Sequence, residues 1–186
     1  MASIFMRIDG TTPKGAATVE KIGGKDGFFA IDTVTWNAVR GVGIDVGNAN
    51  NADQGMVALG EINVTRGCDG ATPHLTTFLY APGGEGKTVE IVMTKPNREG
   101  SGADPYLIVT LKAARMSSYN MAGSDGTLPN ESFSLTYTEI SKAYYIEGEG
   151  GKIEKGPEVG FDATTAKVTS TCLLYTSDAA DEHSCV

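Results

Sequence analysis

Hydrophobic and polar residues alternate along residues 3–9, with Ile4, Met6 and Ile8 on one side and Ser3, Phe5, Arg7 and Asp9 on the other. Period two in β-forming residues predicts a strand. Residues 10–27 break the alternation with Pro13, the Gly23-Gly24 pair and Asp26-Gly27, and read as loop. Residues 28–39 are rich in aromatic and β-branched side chains and predict a second strand, with Trp36, the sole tryptophan, as a packing anchor. Residues 41–55 are crowded with Gly and Asn and poor in apolar groups, a composition that predicts a long, mobile loop. Residues 56–66 return to strand, with Glu61, Asn63 and Thr65 alternating against Ile62 and Val64.

The period then changes. Thr72-Pro-His-Leu75 predicts a helix start, in which Thr72 caps free amides and Pro73 takes the first helical position, where its missing N–H costs nothing. Leu75, Phe78 and Leu79 form one apolar stripe, and Pro82-Gly83-Gly84 ends the helix after roughly two to three turns. Strands are predicted again over residues 88–94, 106–116 and 132–146, with Val89, Ile91 and Met93, then Leu107, Val109 and Leu111, then Phe133, Leu135 and Tyr137 facing inward. The turn Gly123-Ser-Asp-Gly126 joins the last two, and a short strand over 158–162 closes the chain. The sum is about seven to nine antiparallel strands and one short helix, a mainly β domain built as a sandwich or closed barrel.

The 186 residues suit one domain, expected over 1–171. A chain of this size buries roughly 70% of its unfolded surface and needs no metal or disulfide to hold a core. Residues 172–186 depart from the rest: Cys172-Leu-Leu-Tyr-Thr-Ser-Asp-Ala-Ala-Asp-Glu182 resembles a translated sequencing-library adapter, and is set aside as a non-native tail. Removing its three acids, Asp178, Asp181 and Glu182, moves the formal charge from −8 to −5. Either value argues against a nucleic-acid partner. No apolar run is long enough to insert into a membrane, and Arg7 and Asp9 interrupt the opening too early for a signal peptide, so a cytoplasmic origin is expected.

Candidate chemistry is thin. Ala81-Pro-Gly-Gly-Glu-Gly-Lys-Thr88 resembles a phosphate-binding loop, but that chemistry needs a strand before it and a helix after, and here the order is reversed. A turn is the better reading. Ahead of the tail stand one cysteine, Cys68, and one histidine, His74, too few for a Cys/His zinc site; Cys68 is expected to be an unreactive thiol, buried or half-buried. Asp45, Asn48, Asn50 and Asp53 lack the Gly and Glu that a calcium loop requires in that register. Glu147 and Glu149 sit in a Gly-rich turn. No catalytic residue, cofactor site or metal site is expected.

One pattern points to a surface instead. Opposite Phe133, Leu135 and Tyr137 stand Ser132, Ser134, Thr136 and Thr138, a face of small hydroxyls without charge. A solvated antiparallel face ordinarily carries Lys and Glu. A smooth uncharged one suits a surface that must not grip what passes over it.

Several segments resemble one family. They are Met1-Ala-Ser-Ile-Phe-Met-Arg-Ile-Asp-Gly10, Ile31-Asp-Thr-Val-Thr-Trp36, Gly60-Glu-Ile-Asn-Val-Thr65, Thr72-Pro-His-Leu75, Tyr106-Leu-Ile-Val-Thr-Leu111, Ser117-Ser-Tyr119, Glu131-Ser-Phe-Ser-Leu-Thr-Tyr137 and Pro157-Glu-Val-Gly-Phe-Asp162. Together they are similar to Hcp, the hemolysin-coregulated protein family of the type VI secretion inner tube. The resemblance implies an antiparallel two-sheet β-barrel with one flanking α-helix. It implies homohexameric rings that stack into a tube, carry effector cargo, meet secretion sheath and spike proteins, and leave the cell on firing. It implies no enzyme activity and no cofactor. By the same resemblance, the loop holding Val42, Ile44, Asp45, Asn48, Asn50 and Asn51 contacts a neighbouring subunit, and Ser132, Ser134, Thr136 and Thr138 are candidates for the lumen. The segment between Asp9 and Gly27 is longer than the family leads one to expect. Alternatives are the tail tube of a phage-derived injection particle, a nucleotide-binding protein using Lys87 and Thr88, and a monomeric adhesin-like domain.

Overall fold

The computed structural model describes residues 3–13, 15, 17, 19, 21–44, 51–53, 55–96, 102–148 and 153–170. In chain order its strands are β1 (Ser3–Ile8), β2 (Phe29–Ile31), β3 (Thr33–Thr35), β4 (Ala38–Val39), β5 (Val42–Ile44), β6 (Asn51–Asp53), β7 (Ala58–Leu59) and β8 (Ile62–Gly67). The helix α1 (Thr72–Tyr80) follows, then β9 (Lys87–Pro96), β10 (Ala103–Ala122), β11 (Asn130–Thr136), β12 (Glu139–Glu147), β13 (Ile153–Asp162) and β14 (Lys167–Ser170).

All pairings are antiparallel, and they form a circuit. β1 pairs with β2 and β9, β9 with β10, β10 with β11, β11 with β8, and β8 with β3. Only Asp32 separates β2 from β3, so one stretch of chain leaves β1 and joins β8, closing the barrel. The Asp32 N–H donates to the Thr65 carbonyl at 2.9 Å across that junction. β12 continues β11 after a break at Tyr137-Thr138, and β12, β13 and β14 extend one side of the barrel into a second sheet.

The two sheets share β10. This strand runs for 20 residues and shifts register at three places, between Pro105 and Leu107, Leu111 and Ala114, and Met116 and Ser118. Such irregularities bend a strand and let it turn from one sheet into the next. Ala113, at the middle shift, has φ 49°, a left-handed conformation unusual for a residue with a Cβ. Gly86 packs against it with φ 75°, and a Cβ there would lie 2.7 Å from the Ala113 carbonyl carbon.

The inward rows fill the barrel: Met6 and Ile8, Phe29 and Ile31, Ile62 and Val64, Val89 and Ile91, Leu111, Phe133 and Leu135. Leu75 and Phe78 of α1 join the same core, with Leu79 at its margin, as the apolar stripe predicts. A second layer lies on the outer side of β1 and β9, where Phe5 and Val92 are covered by Ile22 and Phe28 from the long connection after β1. Arg7 fastens that connection: its Nη1 donates to Glu90 at 3.0 Å and its Nε to the Asp26 carbonyl at 3.0 Å, while Lys25 also pairs with Glu90.

Several expectations are corrected. Thr72 is not the cap of α1; it lies inside the helix, and its hydroxyl donates to Glu131 at 3.1 Å. Asp69 holds the entry instead, its carboxylate accepting from the Ala71 N–H at 2.8 Å. The strand predicted over 28–39 is three short ones, because the chain must pass between sheets at Asp32. Trp36, expected as a packing anchor, is 36% exposed and packs at the barrel margin, outside the core. Strands β13 and β14 run longer and further than 158–162.

Candidate interaction surface

The outward side of β3, β8, β11 and the C-terminal part of β10 is a sheet of hydroxyls and amides. Register aligns Thr33, Thr65, Ser132 and Asn120 in one row. The next row aligns Thr35, Asn63, Ser134 and Ser118. None of these eight side chains carries charge. They turn outward because the alternate positions Val34, Ile62, Val64, Phe133 and Leu135 turn into the core, as period two demands.

Four of the eight side chains bond one another. Thr33 and Thr65 hydroxyls meet at 2.6 Å, and the Ser134 hydroxyl donates to Asn63 Oδ1 at 2.6 Å. Ser117 donates to the Ser134 carbonyl at 3.3 Å, and Thr136 to the Arg115 carbonyl at 3.3 Å. Groups occupied in this way present little unmet donor or acceptor capacity to a passing chain.

Of the four sequence-predicted lumen residues, Ser132 and Ser134 sit half-buried within this face. Thr136 is exposed at its margin, opposite Arg115, and Thr138 lies beyond β11 beside the Lys112–Glu139 ion pair. Sequence reading missed Thr33, Thr35, Asn63, Thr65, Ser118 and Asn120. The alternation of Asn63 and Thr65 was visible, but register across four strands was not.

The predicted inter-subunit loop begins and ends as a ladder of its own. Val42, Gly43 and Ile44 pair with Asp53, Ala52 and Asn51, in a two-stranded sheet separate from the barrel. Val42 is exposed. Asp45, Asn48 and Asn50 lie outside the described residues.

Beneath one end of the hydroxyl face is a buried polar cluster. Arg66 Nη1 donates to Glu131 Oε1 at 2.7 Å, Nε to the Ala30 carbonyl at 3.1 Å, and Nη2 pairs with Asp69. The Tyr119 hydroxyl donates to Glu131 Oε2 at 2.6 Å. Burial, then the neighbouring Glu131 carboxylate, push the Tyr119 phenol well above its ordinary value. Every polar group here faces a protein partner, so the cluster ties α1 to the barrel. Cys68 lies beside it, and burial raises its thiol, which disfavours the reactive thiolate.

The remaining motifs are placed plainly. Residues 81–86 are a turn between α1 and β9, with Gly83 and Gly86 at positive φ, and no helix follows Lys87 and Thr88. His74 is exposed on α1. Among the described residues no group of three His, Cys, Asp or Glu is placed to hold a metal ion. No helix among them is long and apolar enough to cross a membrane.

Comparison with known proteins agrees with this fold. The fold is similar to a solved structure described as a type six secretion system protein, at TM-score 0.75 and 19% identity, covering 91% of this chain and all of that one. It is similar to Hcp1 from Salmonella typhimurium, at TM-score 0.65 and 18% identity over 90% of this chain and 99% of that one. A type VI secretion system effector from Yersinia pestis matches at TM-score 0.52 and 18% identity, over 86% and 98% of the two chains. No curated protein matches in sequence. The family described as "Type VI secretion system effector, Hcp" matches residues 5–144, three quarters of the chain, and to that family the chain belongs.

Proposed function

We propose that this chain is a structural protomer of a type VI secretion inner tube, forming homohexameric rings that stack and carry effector cargo. It works by self-association and lumenal passage, not by chemistry, and needs no cofactor. The observation that carries the reading beyond family membership is the uncharged face of Thr33, Thr35, Asn63, Thr65, Ser118, Asn120, Ser132 and Ser134. A lumen must let many different proteins slide. Long charged side chains would bind some and repel others, whereas short hydroxyls bonded to one another do neither. Thr136 and Thr138 continue this face toward the lumen mouth.

The β5–β6 loop, with Val42, Ile44, Asp45, Asn48, Asn50 and Asn51, supplies the contact between stacked rings and orders on assembly. Sheath protein surrounds the tube and a spike protein caps it. The protein waits in the bacterial cytoplasm and is expelled with its cargo, without inserting into a membrane or binding nucleic acid.

Native mass and negative-stain imaging of a chain ending at Ser170 test the proposal. Six-fold rings of about 75 Å or more across are expected, as six barrels side by side require. A monomer at all concentrations overturns it.

A further inference from the structure

Away from the hydroxyl face, β4 and β7 stand against β12, β13 and β14 and leave a groove of about 230 Å³. Its walls are Trp36, Val57, Leu59, Val159, Phe161 and Val168. Among the described lining residues the one charge is Lys142, whose ammonium lies 3.3 Å from the centre of the Trp36 ring. Among the described residues no carboxylate pairs with that ammonium, and burial lowers its affinity for the proton. An apolar trough with one cation lacking an anionic partner is complementary to an apolar side chain next to a carboxylate.

The same chain carries such a knob. The turn between β10 and β11 holds Leu128, 83% exposed, and Asp125, also exposed, with Met121 beside them at the end of β10. Knob and groove lie at opposite ends of the β10–β11–β12 ribbon, with roughly 30 Å of extended chain between Asn130 and Ile140. Two different complementary patches on one molecule make a head-to-tail contact, and such contacts close into rings when the rotation allows.

We infer that the β10–β11 turn of one copy seats Leu128 in the Trp36–Val168 groove of the next, with Asp125 against Lys142. This contact rests on the ring reading above and names the residues through which adjacent copies join. The occupant is a second copy because size, polarity and charge of the groove are met by this chain's own turn.

Trp36 is the sole tryptophan, so its emission reports on the groove directly. The full chain is diluted across its association range while native mass and Trp36 emission are followed together. The expected result is a blue shift that tracks assembly. Leu128→Asp, a change at an exposed tip that leaves the fold alone, should weaken association at least about 10-fold and remove the shift. Asp125→Lys and Lys142→Glu should each weaken assembly, and the two together should restore most of it, as exchanged charge partners do. Rings that form with unchanged Trp36 emission and survive Leu128→Asp overturn this contact, leave the ring reading intact, and assign the groove to sheath or cargo. Absence of any oligomer overturns both.

Discussion

Arg66 and Glu131 face each other across β8 and β11, joined at 2.7 Å with both side chains out of solvent. The pair is more than a strand-to-strand contact. Glu131 also accepts from Thr72 and Tyr119, and Arg66 reaches Asp69 and the Ala30 carbonyl, so helix entry, barrel junction and two strands meet at one buried point. Removing Glu131 leaves the buried Arg66 with Asp69 and the Ala30 carbonyl alone, and strips the Thr72 and Tyr119 hydroxyls of their acceptor. Glu131→Ala should therefore lower the unfolding free energy by about 3–5 kcal/mol. The check is the midpoint of chemical denaturation at constant slope; a change below about 1 kcal/mol would show that the cluster does not hold α1.

The same cluster sets an alkaline limit. Tyr119 keeps its proton in the folded protein to well above the ordinary phenol value of 10.0, because burial and Glu131 oppose the phenolate. The unfolded chain releases that proton near pH 10. The stability Tyr119 contributes is thus fully present below about pH 10 and is lost as pH rises toward the folded value. Unfolding free energy measured from pH 9 to 12 should fall more steeply for the wild type than for Tyr119→Phe. Equal slopes would remove Tyr119 from the account.

Gly86 offers a test of the phosphate-loop resemblance. Its φ of 75° and its closeness to the Ala113 backbone are structural demands on a turn, not a cradle for an anion. Gly86→Ala should destabilise the barrel by more than about 1 kcal/mol, since both the backbone angle and the space are wrong for a methyl group. The wild type should bind no ATP with Mg²⁺ in a calorimetric titration. Heat of binding that Gly86→Ala abolishes without loss of stability would revive the nucleotide reading.

Much of this fold was legible. Alternation placed Met6, Ile8, Val64, Ile91, Leu111 and Phe133 in the core, and helical spacing placed Leu75 and Phe78 there. What stayed hidden depends on tertiary geometry. Phe5 read as solvent-facing because period two cannot reveal a loop that folds back and covers the outer side of a sheet with Ile22 and Phe28. Trp36 reads as a packing anchor by size, but sequence alone does not show that its indole packs at the margin, against Tyr137 and Lys142. Thr72 had the composition of a cap, but Asp69, three residues earlier, was better placed to accept from the free amide of Ala71. The hydroxyl face was visible as one strand, in Ser132 and Ser134, and became four strands wide only once register was known.

Among the described residues the β5–β6 ladder pairs with no barrel strand, so its loss should leave the core untouched. Deleting residues 42–55 should preserve cooperative unfolding and single rings while abolishing stacking, read by imaging at concentrations where the wild type forms tubes. Intact tubes from that variant would remove the loop from the ring-to-ring contact.

The lumen proposed above, lined by short hydroxyls, predicts what a single charge does there. Thr136 is exposed, its neighbour across the pair is Arg115, and its hydroxyl bonds only a backbone carbonyl at 3.3 Å. Thr136→Glu therefore creates no buried charge and should alter stability by less than about 0.5 kcal/mol, as exposed substitutions do. Ring mass should not change. In a ring it places six carboxylates around one level of the channel, each opposite an Arg115 guanidinium, and so shifts the local field from positive toward neutral or negative, which disfavours acidic cargo and favours basic cargo. Co-purification of an acidic and a basic effector with wild-type and variant rings reads the effect directly: basic cargo should rise, acidic cargo should fall, and both differences should shrink in high salt. Cargo profiles that are identical in low salt would place Thr136 outside the lumen and move the channel wall to another face of the barrel.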